Sequence, residues 1–373
     1  MQSDAMMRPA REDELAAMIR EAAAPLWVRG GGTRGSGGDE GGAGVLETGG
    51  LSGIRLYEPG ALTLVAGAGT KLAEVEGALD AEGQRLAFEP MDHRRLLGTR
   101  GAPTLGGMVA MNVSGPRRVQ VGACRDHLLG LRFVDGSGAV ISNGGRVMKN
   151  VTGYDLVRLM AGARGALGVL TEVSLKVLPA PEAEATLMLE ALELAPAVAA
   201  MSAALGSPFE VSGAARLSDG RVALRLEGLA VQVSHRSAAL ARHLARHGVA
   251  QMLEREESRA LWQGLRDVAA FHGLAGDVWR ISCRPSEAAA LAARAGGAVL
   301  LDWGGALIWV LRPEGGDLRA DLGAFAGHAT RIRAMAADGI PDLPPEPAAL
   351  AALGRGLKQR FDPRGILNPG THP

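Results

Sequence analysis

Four glycine-bearing segments hold most of the residues of this chain that could do chemistry. The first, Arg29-Gly30-Gly31-Gly32-Thr33-Arg34-Gly35, follows the short apolar run Leu26-Trp27-Val28. The second runs from Pro103-Thr104-Leu105-Gly106-Gly107 to Asn112-Val113-Ser114-Gly115-Pro116 and opens a helix through Pro103 and Thr104. The third joins Gly122-Ala123-Cys124-Arg125-Asp126 to the later Lys149-Asn150-Val151-Thr152-Gly153-Tyr154-Asp155. The fourth is Gly162-Ala163-Arg164-Gly165-Ala166-Leu167-Gly168-Val169-Leu170-Thr171. Consecutive backbone N–H groups free of side chains form a concavity that binds anions, and glycine lets a main chain approach phosphate closely. The N-terminal amides of a helix entered through Thr104 are a second source of such donors.

As a string, Gly30-x-Gly32-x-x-Gly35 satisfies the dinucleotide fingerprint. The doubly wound version needs a helix to begin at the last glycine. Here Ser36-Gly37-Gly38-Asp39-Glu40-Gly41-Gly42 follows, which opens no persistent helix, so a phosphate-binding loop of another kind is expected.

The four motifs and their order resemble the PCMH-type FAD-binding domain of the vanillyl-alcohol oxidase family, and within it the flavin subunits of bacterial glycolate oxidase (glycolate dehydrogenase). The tail Leu357-Lys358-Gln359-Arg360-Phe361-Asp362-Pro363-Arg364-Gly365-Ile366-Leu367-Asn368-Pro369-Gly370 is similar to that family's closing signature. The resemblance covers residues 25–180 and the last twenty or so. It implies that Gly30, Gly31, Gly32, Thr33 and Arg34 hold the FAD pyrophosphate by backbone amides. It further implies that Thr104, Gly106, Gly107, Asn112 and Gly115 line the diphosphate and flavin. Gly122, Asp126, Gly168, Val169 and Thr171 would wrap the ring edge and the ribityl-adenine end, and Asn368 would return to the flavin from the tail. Lys149, Tyr154 and Asp155 match family positions as well. Relatives that attach FAD covalently use a His in or just after the glycine loop; this loop has none, so non-covalent FAD is expected. Pro103 stands where the family has Gly, and no His-x-His element of the larger D-2-hydroxyacid dehydrogenases is present, so no metal is expected.

Those motifs need elements to position them. Short strands are expected at Leu26–Val28, 44–48 and 62–66, helices at 11–24 and 71–82, and a hairpin across Asp135-Gly136-Ser137-Gly138. An apolar strand over 167–177 ends at Pro179 and Pro181, which marks a boundary. The fold class expected is α+β. Residues 1–180 make a PCMH-type FAD-binding domain of two α/β subdomains. Residues 181–340 make a smaller α+β cap with a largely antiparallel sheet, and 341–373 return to the FAD domain. In the cap, strands are expected at 221–226, 278–283, 298–303 and 306–311, and helices at 195–205 and 237–246; a last helix spans 348–360.

Arg280, on a cap strand, is the candidate for pairing with a substrate carboxylate, because guanidinium binds carboxylate bidentately; an internal ion pair is its alternative. His243 and His247, with Arg242 and Arg246 beside them and no third ligand, read as a solvated basic face. Asp302-Trp303-Gly304-Gly305 reads as a packing turn.

Composition narrows the class of function. The 373 residues include 40 Lys+Arg against 40 Asp+Glu, so nothing in the charge balance attracts nucleic acid or an anionic membrane. With 53 Gly, about twice ordinary usage, the chain is rich in close backbone approaches. Two cysteines, Cys124 and Cys283, fall short of the four thiolates an iron–sulfur cluster takes. No signal peptide or transmembrane segment is expected, and the location expected is cytoplasmic, peripheral to the inner membrane only through partners. The resemblance then implies an FAD subunit of a complex that oxidises glycolate, and D-lactate with it, to the 2-oxo acid. Its partners would be a second FAD-containing subunit and an Fe–S subunit. A stand-alone FAD oxidase of another hydroxy substrate and a flavin-free scaffold are the alternatives.

Overall fold

The computed structural model describes residues 6–34, 44–146 and 153–371. The helix Glu12–Glu21 carries Glu12, Asp13 and Glu14 in its first turn and Arg20 in its last, charges that complement its dipole. Its buried Leu15, Ala16 and Ile19 pack on Leu26, Leu46, Val134, Val169, Ile366 and Leu367. Strands β1 (Leu26–Arg29) and β2 (Gly44–Glu47) pair in parallel. Then follow β3 (Ile54–Glu58), β4 (Thr63–Gly67), the two-residue β5 (Gln84–Arg85), β6 (Leu128–Val134), β7 (Val140–Gly144), β8 (Val169–Lys176) and the two-residue β9 (Leu178–Pro179). β5 pairs with β9, and the other five form an antiparallel sheet in the order β3-β4-β8-β6-β7.

The hairpin between β6 and β7 is closed by one carboxylate. Asp135 Oδ1 accepts from the amides of Ser137 and Ala139, both at 2.9 Å, and from Ser137 Oγ at 2.6 Å. That is the side-chain turn chemistry for which Asp is favoured at such positions.

The second sheet is larger than the first, with eight antiparallel strands. They are β10 (Ala183–Leu189), β11 (Gly213–Arg216), β12 (Val222–Gly228), β13 (Ala250–Leu253), β14 (Asp277–Ser282), β15 (Ala298–Asp302), β16 (Leu307–Arg312) and β17 (His328–Arg333). Their order is β13-β10-β12-β11-β15-β16-β14-β17. Alternation along these strands sorts side chains to two faces. Leu187, Leu224, Trp279, Ile281, Leu301, Ile308 and Val310 face the helices Leu194–Leu205, Ala230–His243 and Ala288–Ala295. Met188, Ala223, Val278, Leu300, Leu307 and Trp309 face the other way and share one core with Leu64, Leu105, Phe133 and Val173 of the first unit. The two units therefore meet across an apolar seam.

A buried ionic network crosses the same seam. Arg225 on β12 makes a bidentate pair with Glu89, at 2.8 and 2.9 Å. Glu227, two residues on, is gripped by Arg117 (Nε to Oε2, 2.7 Å; Nη2 to Oε1, 2.5 Å) and by Arg85 (2.6 Å). The Arg225 guanidinium also lies over Trp262, 4.5 Å from the ring centroid.

The C-terminal segment leaves the second sheet after β17, forms the helix Ala348–Phe361 and rejoins the first unit. Leu26 N donates to Ile366 O at 2.7 Å and Asn368 N to Leu26 O at 2.9 Å, so the tail runs along β1. Among the described residues, no helix is long and apolar enough to cross a membrane.

Candidate functional site

A cleft of about 1430 Å³ opens between the glycine segments and the far end of the second sheet. Of the residues singled out in the sequence, Gly30, Gly31, Gly32, Thr33, Arg34, Thr104, Gly106, Gly107, Gly168 and Asn368 line it. Gly30 to Arg34 leave the end of β1 as an irregular loop. Among the described residues, the amides of Gly30, Gly31 and Gly32 donate to no protein acceptor. A row of unsatisfied N–H groups facing a large cleft is a fit for a pyrophosphate. The glycine requirement at Gly31 is itself structural. A Cβ there would sit 1.5 Å from Ala102 O, and one on Gly101 would sit 1.6 Å from Gly31 O, so the two loops touch backbone to backbone.

Arg34 does not aim its charge at the cleft. Its Nη1 donates to Gly107 O (2.8 Å), its Nε to His93 Nδ1 (3.1 Å) and its Nη2 to Met91 O (3.4 Å). The side chain thus staples the first loop to the second segment. Burial holds the Arg34 pKa down to about 10 and His93 down to about 3, so His93 is neutral and its Nδ1 is the acceptor.

The second segment differs from expectation in one respect. Thr104 caps the helix Leu105–Ala110, its Oγ1 accepting from Gly107 N at 3.3 Å. The amides of Leu105 and Gly106 donate to Thr70 O (2.9 Å) and Ala68 O (2.7 Å). The helix N-terminus is therefore already satisfied by protein, and Gly106 and Gly107 offer the cleft a side-chain-free wall instead of amide donors. The free amides belong to the Gly30 loop.

Six of the residues expected to hold FAD lie off the cleft lining, and so does Arg280. Asn112 has φ +47° and accepts through Oδ1 from Arg125 N (3.0 Å). Gly115 O accepts from Trp303 Nε1 across the seam (3.0 Å). Gly122, φ +85°, ends a short helix beside Asp126, whose Oδ2 accepts from Ala123 N at 2.9 Å. Val169 is buried in the core beneath the first helix, and Thr171 Oγ1 donates to Glu12. Asn368 lines the cleft and clamps it: Oδ1 accepts from Val28 N (2.7 Å) and Nδ2 donates to Arg164 O (2.7 Å). Lys149 lies outside the described residues. Tyr154 is 89% exposed, and Asp155 caps the next helix through Arg158 N.

Sequence reasoning missed the opposite wall. Ile332, Arg333, Ala334, residues 341–346 and Arg355 line the cleft, along with Arg164 and Gly165 of the fourth segment. Apart from the prolines of 341–347 and the fourth glycine segment, no local pattern marked them.

Arg280 sits on the seam-facing side of β14, opposite Trp309 on β16 and Thr330 on β17. Neither an internal ion pair nor a hydrogen bond holds it among the described residues. Its guanidinium lies 5.1 Å from the centre of the Trp303 ring, on which Arg118 also stacks at 4.6 Å. Burial, with the charges of Arg118 and Arg164 adding to it, pushes the Arg280 pKa down to about 10. Asp302, 3% exposed, has Oδ1 on the Trp303 amide (2.7 Å), and burial lifts its pKa to about 7. Among the described residues, no group of three or more His, Cys, Asp or Glu is placed to hold a metal ion.

Comparison with known proteins fits this geometry. Residues 3–144 match the family described as FAD binding domain. The chain is 39% identical over 320 residues to the Escherichia coli (strain K12) protein "Glycolate oxidase subunit GlcE", spanning 85% of this chain and 84% of that one. It is 33% identical over 191 residues to "Glycolate oxidase subunit GlcD" of Bacillus subtilis (strain 168), covering 50% of this chain and 39% of that protein. A "D-lactate dehydrogenase" of Archaeoglobus fulgidus is 32% identical over 180 residues, 47% of this chain and 38% of that one. Among solved structures, alkyldihydroxyacetonephosphate synthase superposes with a TM-score of 0.73 at 15% identity, over 98% of this chain and 76% of that one, which shows a shared fold. With an FAD-binding domain, a glycine-walled cleft and a GlcE relative aligned over most of both chains, this chain belongs to the GlcE family of FAD-binding glycolate oxidase subunits.

Proposed function

We propose that this chain is the FAD-binding subunit of a glycolate oxidase (glycolate dehydrogenase) complex that oxidises glycolate, and D-lactate as a second substrate, to the 2-oxo acid. Electrons leave through an Fe–S partner subunit, and a second FAD-containing subunit belongs to the same assembly. The observation that carries this reading is the row of amides at Gly30, Gly31 and Gly32 without protein acceptors, facing the 1430 Å³ cleft. Those amides would hold the pyrophosphate, with Thr33, Thr104, Gly106, Gly107 and Gly168 forming the walls. Asn368 keeps the loop in register by holding Val28. The flavin, when bound, supplies the acceptor for the hydride leaving the α-carbon of the 2-hydroxy acid. Arg280 would orient the substrate carboxylate.

Two features of the chain support the remaining parts. The loop Gly30–Arg34 has no histidine, and the Nδ1 of neighbouring His93 is taken by Arg34, in keeping with non-covalent FAD. Cys124 is buried and Cys283 partly so, and burial pushes their thiols to about 12 and about 11. Thiols so reluctant to ionise are poor iron ligands, in keeping with a cluster on another subunit.

The test is the visible spectrum of the purified chain, before and after acid precipitation and after anaerobic glycolate. Flavin bands that move to the supernatant and bleach with glycolate are expected. Flavin that stays with the pellet would refute non-covalent binding, and no flavin after incubation with FAD would refute the reading as a whole. Reconstitution with the partner subunits, with and without this chain, then measures its share of turnover.

A further inference from the structure

Residues 334–347 carry the chain from the second unit back to the first, and 341–346 line the cofactor cleft on the way. At their far end the helix Ala348–Phe361 is seated on the first unit. Phe361 lies against Phe133, ring centroids 6.0 Å apart, and Lys358 Nζ donates to Ala166 O at 2.8 Å. From 334 to 350 no residue is buried, so apolar packing does little to hold this stretch down. Pro341, Pro344, Pro345 and Pro347 keep its second half extended and stiff.

Polar contacts hold it instead, and Arg331 on β17 dominates them. Its Nη1 donates to both oxygens of Asp338 (2.8 and 2.7 Å), its Nε to Asp342 Oδ1 (3.0 Å) and its Nη2 to Ile340 O. Its amide donates to Asp342 O at 2.9 Å. Arg319 adds one bond, Nη2 to Pro341 O at 2.6 Å. Both guanidiniums lie over the ring of Trp279, at 5.1 and 5.9 Å.

The two sides of this contact are unequal. Arg331 is 6% exposed and fixed in a strand, whereas Asp338 and Asp342 ride on the exposed stretch. A second anion lies within reach of Arg331: the buried Asp277, whose Oδ2 is 4.0 Å from Nη1. Asp277 also marks the root of the stretch, since its Oδ1 accepts from Met335 N at 2.8 Å. If Asp338 and Asp342 let go, they enter water and Arg331 keeps Asp277. Both arrangements leave no buried charge stranded, which is what a two-position element needs.

We infer that residues 334–347 are a strap that opens and closes along the cofactor cleft, latched shut by Arg331 through Asp338 and Asp342, and that the latch sets how fast FAD enters and leaves. The inference rests on the reading of the cleft as the FAD site and goes beyond it, because it makes one wall of that site movable. A gate slows passage in both directions and leaves the affinity little changed, whereas a fixed wall that only touches FAD slows release alone.

Stopped-flow flavin fluorescence of the full-length chain, following FAD uptake by the flavin-free form and release on dilution, tests this. The variant carrying both Asp338→Asn and Asp342→Asn is expected to speed uptake and release alike, by about tenfold or more, as charge-assisted hydrogen bonds weaken to neutral ones. Its dissociation constant should be little changed. Both substitutions lie on the exposed stretch, so its melting curve should match that of the parent. Arg331→Met should act in the same direction, and Arg331→Lys should fall between, since an ammonium pairs with one carboxylate but cannot fork to two. Release that quickens while uptake does not, or rates indifferent to both aspartates, would overturn the strap. A chain that takes up no FAD would overturn both the strap and the reading beneath it. Latch-dependent FAD rates in a chain whose flavin ignores glycolate would uphold the strap and count against the glycolate reading. Flavin that glycolate bleaches, with FAD rates independent of the latch, would do the reverse.

Discussion

Replacing Glu227 by Gln is the most telling perturbation of the seam. Glu227 is 8% exposed and accepts two charge-assisted hydrogen bonds from Arg117 and one from Arg85. Arg117 and Arg225 retain Glu89 when Glu227 is neutralised, but Arg85 loses its one acidic partner among the described residues. Glutamine keeps the shape and one acceptor oxygen while turning an amide NH2 toward a guanidinium. The expected loss is about 3–5 kcal/mol, the range for breaking a buried pair on one side only. That is a large share of the roughly 5–15 kcal/mol that stabilises a folded protein. Urea unfolding of Glu227→Gln, Arg85→Met and the double variant supplies the cycle, with a coupling of about 1.5 kcal/mol or more expected. A loss below about 1 kcal/mol, or additive single effects, would refute the claim that this network locks the units together. Acid titration adds a sign. Burial alone would raise Glu227, and Arg225, Arg117 and Arg85 together overcome it and depress its pKa. Its contribution is thus present above the unfolded carboxyl value of about 4.3 and fades as pH falls below that toward the depressed folded pKa, and Glu227→Gln should flatten that acid limb.

Further outcomes follow from the site. Gly31→Ala places a methyl 1.5 Å from Ala102 O and should release FAD and lower the melting temperature; a variant that keeps its flavin absorbance would contradict the loop-on-loop contact. Asn368→Ala removes two hydrogen bonds from a residue with φ +41° and should destabilise by about 2–3 kcal/mol in urea, with Asn368→Asp intermediate because it still accepts from Val28 N. Asp302 has a folded pKa lifted to about 7, so stability should decline as pH rises from about 4 through 7, and Asp302→Asn should remove the decline in pH-dependent melting curves. Cys124 and Cys283, with thiols near 12 and 11, should resist iodoacetamide at pH 7, and fast alkylation of the folded protein would contradict their burial.

Much of this architecture is legible locally. The turn at Asp135 lies between its strands as its composition dictates, because one carboxylate suffices to close it. The glycine segments that converge on the cleft were recognisable because close backbone contact admits little else. What escaped depends on partners far along the chain. The amides of Leu105 and Gly106 look free in sequence, yet Ala68 and Thr70 occupy them from a different strand connection. Arg280 was recognised as able to bind carboxylate, but its lack of an ion pair among the described residues and its neighbour Arg118 on the Trp303 ring come from folding, not from spacing. The helix expected at 237–246 begins at Ala230, since only Val233, Ser237 and Leu240 are buried on it and its first turn exposes Val231. Edge strands such as Ala250–Leu253, where Met252 is exposed, and His328–Arg333, where Arg331 is buried, leave little apolar alternation to read.

The grip of Asn368 on Val28 also sets an order of events during synthesis. The amide of Val28 meets its side-chain acceptor 340 residues later, and Leu26 likewise waits for Ile366. Domains generally fold as they emerge from the ribosome, but the mouth of this cleft cannot be completed until the chain has been made through residue 368. The glycine loop therefore lacks its Asn368 clamp through nearly the whole of translation, and the cofactor cleft is finished in one late step. A fragment ending before the last helix, even with every glycine segment intact, would present those amides on a strand held by β2 on one side and by nothing from the tail on the other.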